Sequence, residues 1–404
     1  MIQALIHRLL QRRHFWRYAT FSEVAELYAS RTMRLFALRM VAVFTSIYMY
    51  QEGYSLVFIT FFFAAFFFYK TLFAWPAALI IAQIGPKHGT FASNILAAIS
   101  MIFLPFVPEY GIFALLAWSL FQASSTCLYD LCYLVDFSKV KNIEHAGKEI
   151  AYMNILEKVA TGIGPVIGGV IASLFGPQLV MIIASVLFVL AAIPLFKTGE
   201  PTRTHQKLDF RSFPLRTTWR SLVAETAVGI DGYATGTAWT LFMMVIIFAG
   251  DGHEIYAKVG ILASVALVSA LLASYTFGRL IDHRRGGELL KIAVILNALT
   301  HAFRPFVGSL PGAVASNIAN EAATTGYSMA FTRGMFDTAD ITGHRVVYLF
   351  LMELVVNLGA SLAALILGFM LLMFGDEPGL KSYFFVVAIA VLVIGMPRFA
   401  LYRK

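Results

Sequence analysis

Long apolar runs, broken by short polar stretches, dominate this chain. Leu56 to Tyr69, Met181 to Phe196 and Val386 to Met396 carry no charge at all. A helix needs about 20 mostly apolar residues to cross the hydrocarbon core of a bilayer. Divided on that rule, the sequence predicts twelve spans, over 24–50, 54–84, 89–107, 110–136, 150–174, 178–196, 219–249, 255–281, 289–308, 311–333, 344–374 and 380–400. The first span is the least regular. Its uncharged part, Met40 to Tyr50, is too short to cross. Val24-Ala25-Glu26 matches Val223-Ala224-Glu225 of the seventh span, so its helix is expected to begin well before Arg31, with Arg31, Arg34 and Arg39 inside it. The alternative is a surface helix that dips into the membrane at Arg34.

The linkers alternate in charge. One side carries Lys87 and His88, then Lys139, Lys141 and Lys148, then the connector from Lys197 to Arg220, then Arg279, Arg284, Arg285 and Lys291, and finally Arg398, Arg403 and Lys404. The other side is short and acidic or neutral, as in Gln51-Glu52-Gly53, Pro108-Glu109-Tyr110 and Gly375-Asp376-Glu377. Basic loops stay in the cytoplasm. Both termini are therefore expected there, with the protein in the cell (inner) membrane. The expected organisation is a basic amphipathic segment at 1–22, a six-helix bundle at 23–197, a cytoplasmic linker at 198–218 and a second six-helix bundle at 219–404. The first segment, with Arg8, Arg12, Arg13 and Arg17 around apolar positions, suits the anionic face of membrane lipids, and no cleavable signal peptide is expected.

Composition agrees with that pattern. Of 404 residues, 59% are hydrophobic and 13% charged, and 36 are Phe. A soluble domain carries about 25% charged residues, so a soluble globular protein is excluded. The formal net charge of +8 sits where basic loops belong, so no nucleic-acid partner is expected. Cys127 and Cys132 are five apart in one apolar segment and would point to different helix faces. They suit neither a disulfide nor a metal. No metal and no cofactor is expected. There is no H-E-x-x-H, no G-x-S-x-G and no phosphate-binding Gly-Lys-Ser/Thr loop, so an enzyme is not expected either.

The chain also repeats. Leu104-Pro105-Phe106-Val107 returns as Arg304-Pro305-Phe306-Val307, and the turn from Ala78 to Gly89 returns at Gly278 to Glu288. Tyr152-x-x-x-x-Glu157 returns as Tyr348-x-x-x-x-Glu353 at a slightly smaller offset. An apolar chain made of two similar halves points to a transporter whose halves rock about a central site.

Six spans, a basic connector and six more spans resemble the major facilitator superfamily, over about residues 22 to 400. The loop Gly278-Arg-Leu-Ile-Asp282-His-Arg284-Arg285-Gly286-Gly287 is similar to that family's G-x-x-x-D-R/K-x-G-x-R/K-R/K signature, with the later glycine displaced by one. The resemblance implies a charged latch of Asp282 and Arg284 at the cytoplasmic rim, beside a close helix approach at Gly278. The matching turn of the first half has no Asp. In the fifth span, Gly162-x-Gly164-Pro165-x-x-Gly168-Gly169 is similar to the family's antiporter motif, which implies close helix packing at Gly164, Gly168 and Gly169, a bend at Pro165, and export. The same glycines read equally as an ordinary packing face. The fourth span departs from the family. Where its proton antiporters carry an Arg, this chain has Trp118, Ser119, Gln122 and Ala123. The implied fold is all-α, with twelve transmembrane helices in two pseudo-symmetric six-helix bundles.

Ionisable side chains at bilayer depth are costly and so mark function or a structural ion pair. Lys70 lies about 14 residues into the second span, roughly 21 Å deep at 1.5 Å per residue, too deep for its stem to reach water. Asp231 sits among Gly229, Gly232 and Gly236, which would let the helix break. Glu321 lies beside Asn317 and Asn320. The substrate or ion pathway is therefore expected to use Arg31, Arg34, Lys70, Asp130, Asp231, Glu321 and Glu353. Asp130 is expected to pair with Lys70 or Arg34, and the repeat-related Glu157 and Glu353 to serve a salt bridge, a gate or the path. His301 reads as a packed side chain more readily than as a proton relay. The bases concentrate in the first half and the apparently uncompensated acids in the second, so a cavity between them would have a positive and a negative wall.

The expected activity is alternating-access transport of a small organic solute, with proton-coupled export the leading form. A buried carboxylate such as Asp231 or Glu321 would exchange its proton for the substrate. Alternatives are an importer or facilitator of an anion or zwitterion, a lipid or amphiphile transporter, and a non-transporting membrane scaffold. The expected partners are the substrate, protons and membrane lipids, and the protein is expected to be a monomer.

Overall fold

The computed structural model describes residues 21–140, 146–196, 210–265, 267–282 and 285–402. It is built of helices joined by short turns. The membrane-spanning helices are α1 (Tyr28–Gln51), α2 (Leu56–Ile84), α3 (Pro86–Tyr110), α4 (Ile112–Val135), α5 (Ile155–Phe175), α6 (Pro177–Phe196), α7 (Leu215–Ile247), α8 (Glu254–Ile281) and α9 (Gly286–Phe306). They continue with α10 (Leu310–Thr342), then α11 (Arg345–Phe374) and α12 (Asp376–Gly395). Eleven of the twelve are apolar enough to cross a membrane on composition alone. The exception, α10, carries Glu321, Arg333, Asp337 and Asp340 and crosses by its length of 33 residues, about 50 Å at 1.5 Å per residue. It runs past the expected end at 333 because its apolar part stops before its helical part does. Gly343, at a left-handed φ of 70°, ends it.

Two departures from regular helix bear on the sequence-based expectations, in α1 and α7. The helix of the first span begins at Phe21, well before Arg31, and runs to Ala42. A turn at Val43 and Phe44 separates it from Thr45–Gln51. In α7, the expected break near Asp231 is instead a pair of wider π-helical stretches, Ala234–Ala238 and Met243–Ile247. Such insertions often mark functional sites.

The helices form two six-helix bundles that meet along two seams. In one, α2 lies against α11, with the Ser361 hydroxyl donating to the Ala64 carbonyl at 2.8 Å. In the other, α5 crosses α8 so closely that a Cβ on Gly169 would lie 2.5 Å from the Tyr256 carbonyl oxygen. With an even number of spans, Phe21 and Tyr402 lie at one end of the bundle. At the far end the halves are tied by Gln51, which donates to the Gly252 carbonyl at 2.9 Å and accepts from the Tyr256 hydroxyl at 2.8 Å.

Candidate functional site

A cavity of about 490 Å³ lies between the bundles. Its charged lining is Arg39 and Lys158 from the first half, and Glu225, Asp231, Arg304 and Glu321 from the second. Gly232 and Gly236 of α7 face it, and a Cβ at either position would meet nothing within 4 Å. Trp239 and Tyr327 add aromatic surface.

The wall formed by α7, α9 and α10 holds a closed ring of hydrogen bonds. Asp231 Oδ1 accepts from Asn297 Nδ2 at 2.9 Å and lies 2.6 Å from His301 Nε2. Asn297 Oδ1 accepts from Asn320 Nδ2 at 2.8 Å, and Asn320 Oδ1 accepts from Arg304 Nη2 at 2.7 Å. Arg304 Nη1 closes the ring at His301 Nδ1, 3.1 Å away. A guanidinium can only donate, so Nδ1 of His301 is the acceptor. The imidazole is then neutral, with its proton on Nε2, facing Asp231. The Tyr327 hydroxyl donates to the other Asp231 oxygen. Asp231, His301 and Arg304 are at most 1% exposed, so each polar atom left unpaired here would be costly. Local sequence explains the arrangement. Asn297, His301 and Arg304 are spaced i, i+4 and i+7, which places them on one helix face, and the guanidinium is held over the Trp239 ring at 4.6 Å.

Lys158 of α5 pairs with Glu321 of α10 across the cavity. Two lining charges have no such partner. Arg39 of α1 is exposed and Glu225 of α7 is half-buried, both line the cavity, and neither makes a hydrogen bond or an ion pair among the described residues.

Of the residues expected on the pathway, Asp231 and Glu321 reach the cavity. The others lie elsewhere. Arg31 pairs with Glu157 at 2.5 Å and stacks 3.3 Å from the centre of the Tyr133 ring. Arg34 is buried in a neutral nest. It donates to Asn94 Oδ1 at 2.8 Å and to Ser125 Oγ at 2.9 Å, with the Tyr129 ring 4.0 Å away. Lys70 sits in the α2–α11 seam, 3.5 Å from Asp130 and 3.9 Å from Glu353. The expected split into a positive and a negative wall therefore gives way to cross-boundary pairing. Glu321 and Glu353 take cations from the first half, and Asp231 has its own cation, Arg304, one residue away through His301.

The glycines of α5 are packing surfaces. Gly164 lies against α1, where a Cβ would meet the Phe36 carbonyl oxygen at 2.9 Å, and Gly168 lies against Met40. Gly169 abuts Tyr256, and Pro165 lies inside the helix opposite Gly260. Gly278 is buried in α8. The latch residue Arg284, the side chain of Asp282, the segment 1–20 and most of the connector lie outside the described residues. Among the described residues, no cluster of His, Cys, Asp and Glu could hold a metal, and both cysteines are free and buried.

The family model described as Major Facilitator Superfamily matches residues 27–364. The chain belongs to the Major Facilitator Superfamily. As a superfamily member it is a multi-pass membrane protein and a secondary transporter with a small-molecule substrate. Among solved structures, it is similar to the Escherichia coli fucose:proton symporter FucP, with a TM-score of 0.65 at 14% identity over 92% of this chain and 97% of that one. It is also similar to the human organic anion transporter MFSD10 (TETRAN), with a TM-score of 0.70 at 10% identity over 93% and 100%. FucP in an outward conformation gives a TM-score of 0.62 at 13% identity over 91% and 97%. At these identities the likeness concerns the superfamily fold. No curated protein sequence matches the chain at a significant level.

Within this superfamily fold, the site also uses residues outside the expected pathway, among them Lys158, Arg39 and His301 with its neighbours on α9. Lys158 follows Glu157 near the basic end of α5 and reads as rim charge. Arg39 was grouped with its two buried neighbours. His301 was read as packing, although its spacing from Asn297 and Arg304 already placed three polar groups on one face of α9.

Proposed function

We propose that this superfamily member is a proton-coupled transporter of a small organic solute. The reading rests on the hydrogen-bonded ring of Asp231, Asn297, Asn320, Arg304 and His301. It brings a carboxylate and an imidazole together at the wall of a cavity large enough for a small molecule. A proton arriving from the cavity is shared between Asp231 and His301. If it settles on Nδ1 of His301, that nitrogen can no longer accept from Arg304, and the guanidinium must find another partner. Asn320, its second contact, is on α10, which also carries Glu321 and hence the bond to Lys158 of the other half. Protonation at the ring is thereby linked to a contact between the halves, which is what coupling by alternating access requires.

The basic linkers support a cytoplasmic position for the end bearing Phe21 and Tyr402. On that reading the Gln51 tie joins the halves at the outer side. The α5 glycine series, similar to an antiporter motif, supports export.

The reading is tested in proteoliposomes loaded with a defined mixture of amino acids, organic acids and amines. A pH gradient is imposed and the retained solutes are measured by mass spectrometry. Wild-type protein should drive at least one solute against its gradient. Asp231→Asn and His301→Gln should abolish the driven component while the purified proteins keep a cooperative melt. Driven movement that survives both substitutions would remove the ring from coupling. Driven accumulation instead of depletion would overturn the export direction.

A further inference from the structure

The six charges that line the cavity differ in one respect. Lys158 and Glu321 satisfy each other, and Asp231 and Arg304 are satisfied through His301. Arg39 and Glu225 are left without partners among the described residues. They sit on different halves, Arg39 on α1 and Glu225 on α7. We infer that the transported solute is an extended zwitterion whose anionic group meets Arg39 and whose cationic group meets Glu225. This rests on the transporter reading and names the solute class for that same cavity.

Three observations lead there. First, the carboxylates that act on Arg39 through space are Glu321, Glu157 and Asp130, and each is already held by a cation: Lys158, Arg31 and Lys70. Arg39 is therefore spare. Glu225 is withdrawn from water, and the charge acting on it is Glu353, a like charge, so it too lacks a cation. Second, Arg39 on α1 and Glu225 on α7 both line the cavity but form no ion pair with each other. One molecule that reaches both therefore needs a spacer between its charged groups. Val43, Leu134 and Val228, partly exposed in the lining, offer apolar surface for that spacer. Third, the two lining charges without partners, Arg39 and Glu225, are opposite in sign and balance each other. A solute that is neutral overall leaves that balance intact, whereas a lone anion or cation adds a charge at bilayer depth, where it is costly.

The placement also gives the solute work to do. Bound at one end to each half, it draws the two walls together, and the binding energy appears only in the state where both are near.

The test is thermal stabilisation and equilibrium binding of the purified full chain with matched probes. The zwitterions are glycine, 4-aminobutyrate, 6-aminohexanoate and 4-(aminomethyl)benzoate. Each extended one is compared with its carboxylate-only and amine-only analogue, for instance 4-methylbenzoate and 4-methylbenzylamine. At least one extended zwitterion should bind, more tightly than glycine and than both of its analogues. Arg39→Gln and Glu225→Gln should each weaken it about tenfold or more, the scale of one lost charge-assisted hydrogen bond. Arg39→Lys and Glu225→Asp should recover part of the loss. Neither residue holds another side chain, so the variants should fold, which their melts will show. Carboxylate analogues that bind equally well and need only Arg39 would overturn the inference in favour of an anion. Amines that need only Glu225 would overturn it in favour of a cation. Absence of binding by every zwitterion would also overturn it. A pH-driven movement of other solutes, lost in Asp231→Asn, would survive any of these results, so failure here is separable from failure of the transporter reading.

Discussion

Glu26 and Glu225 occupy matching places in the two halves, after Val24-Ala25 and Val223-Ala224, yet their surroundings differ. Glu26 is buried, with Lys87 Nζ 3.0 Å from its carboxylate. The repeat offset of 200 puts Gly287 where the first half has Lys87, and Gly287 packs against the Tyr402 side chain. Glu225 accordingly has no lysine and faces the cavity. The same contrast recurs at Leu104 and Arg304, each the first residue of a short 3₁₀ turn. Leu104 is a core residue, whereas Arg304 closes the ring with His301 and Asn320. It recurs again at Glu157 and Glu353. Glu157 binds Arg31 of its own half, and Glu353 approaches Lys70 of the other. The backbone scaffold is shared between the halves while the charges are not. The first half satisfies its acids internally, and the second presents its polar groups to the cavity and the seam.

Making the second half resemble the first is the strongest way to break that comparison. Arg304→Leu installs the residue found at 104. It strips donors from His301 and Asn320 and leaves Asp231, 1% exposed, without its nearby cation. Removal of one member of a buried charged set costs about 3–5 kcal/mol, so the purified variant should melt well below wild type. A melt unchanged from wild type would mean that the ring is not a unit.

The reverse exchange sharpens the point at lower cost. Lys87→Met should cost about 2–3 kcal/mol, because Glu26 remains buried after losing a cation. Glu225→Gln should stay within about 0.5 kcal/mol, because no side chain depends on it. Equal losses measured by denaturant or heat would show that the two acids are equivalent after all.

Close helix approaches give the next effect. In the first half, Gly168 of α5 lies against the backbone of α1 at Met40. In the second, Gly359 of α11 lies against α7 at Thr226, and Gly229 of α7 against α11 at Val356. The second-half contacts are reciprocal and nearer, because the facing backbone oxygens of Thr226 and Val356 come closer to an added Cβ than that of Met40 does at Gly168. Overpacking of this kind costs about 1–3 kcal/mol. Gly359→Ala should therefore lose more stability than Gly168→Ala, and the opposite order would mean that α1 and α5 form the more rigid joint.

Much of this was legible in the sequence, for stated reasons. Apolar runs bounded by charged turns located the spans, and even the polar α10 was found, though not its last turns, because Arg333, Asp337 and Asp340 continue the helix beyond the apolar stretch. Isolated acids in apolar segments picked out Asp231 and Glu321, which do reach the cavity. Their partners could not be read with the same ease. Whether Lys70 meets Glu353, or Lys158 meets Glu321, depends on the rotation and register of helices from different halves, and one sequence does not encode these as a local pattern. The i, i+4, i+7 face of Asn297, His301 and Arg304 was visible in the chain, but only the position of α7 against it shows that Asp231 completes the set.

The smallest expected effect concerns the two ion pairs between the halves. Lys158 and Glu321 are 23% and 27% exposed, whereas Lys70 and Glu353 are 8% and 5% exposed. Water within the cavity screens the first pair, and such partly solvated pairs contribute about 0.2–1 kcal/mol. The double-mutant cycle Lys158→Gln with Glu321→Gln should thus return a coupling energy below about 1 kcal/mol. The cycle Lys70→Gln with Glu353→Gln should return a larger one, because its partners have little water to fall back on, even at 3.9 Å. A pair that is weak in stability can still bias which end of the cavity is closed, since halves in near balance respond to small energies. Neutralising Lys158 and Glu321 together should therefore shift cysteine-labelling rates on either side of the membrane more than it shifts the melt. Rates that stay fixed would leave Lys158–Glu321 as a passive contact and Lys70–Glu353 as the ion pair that matters between the halves.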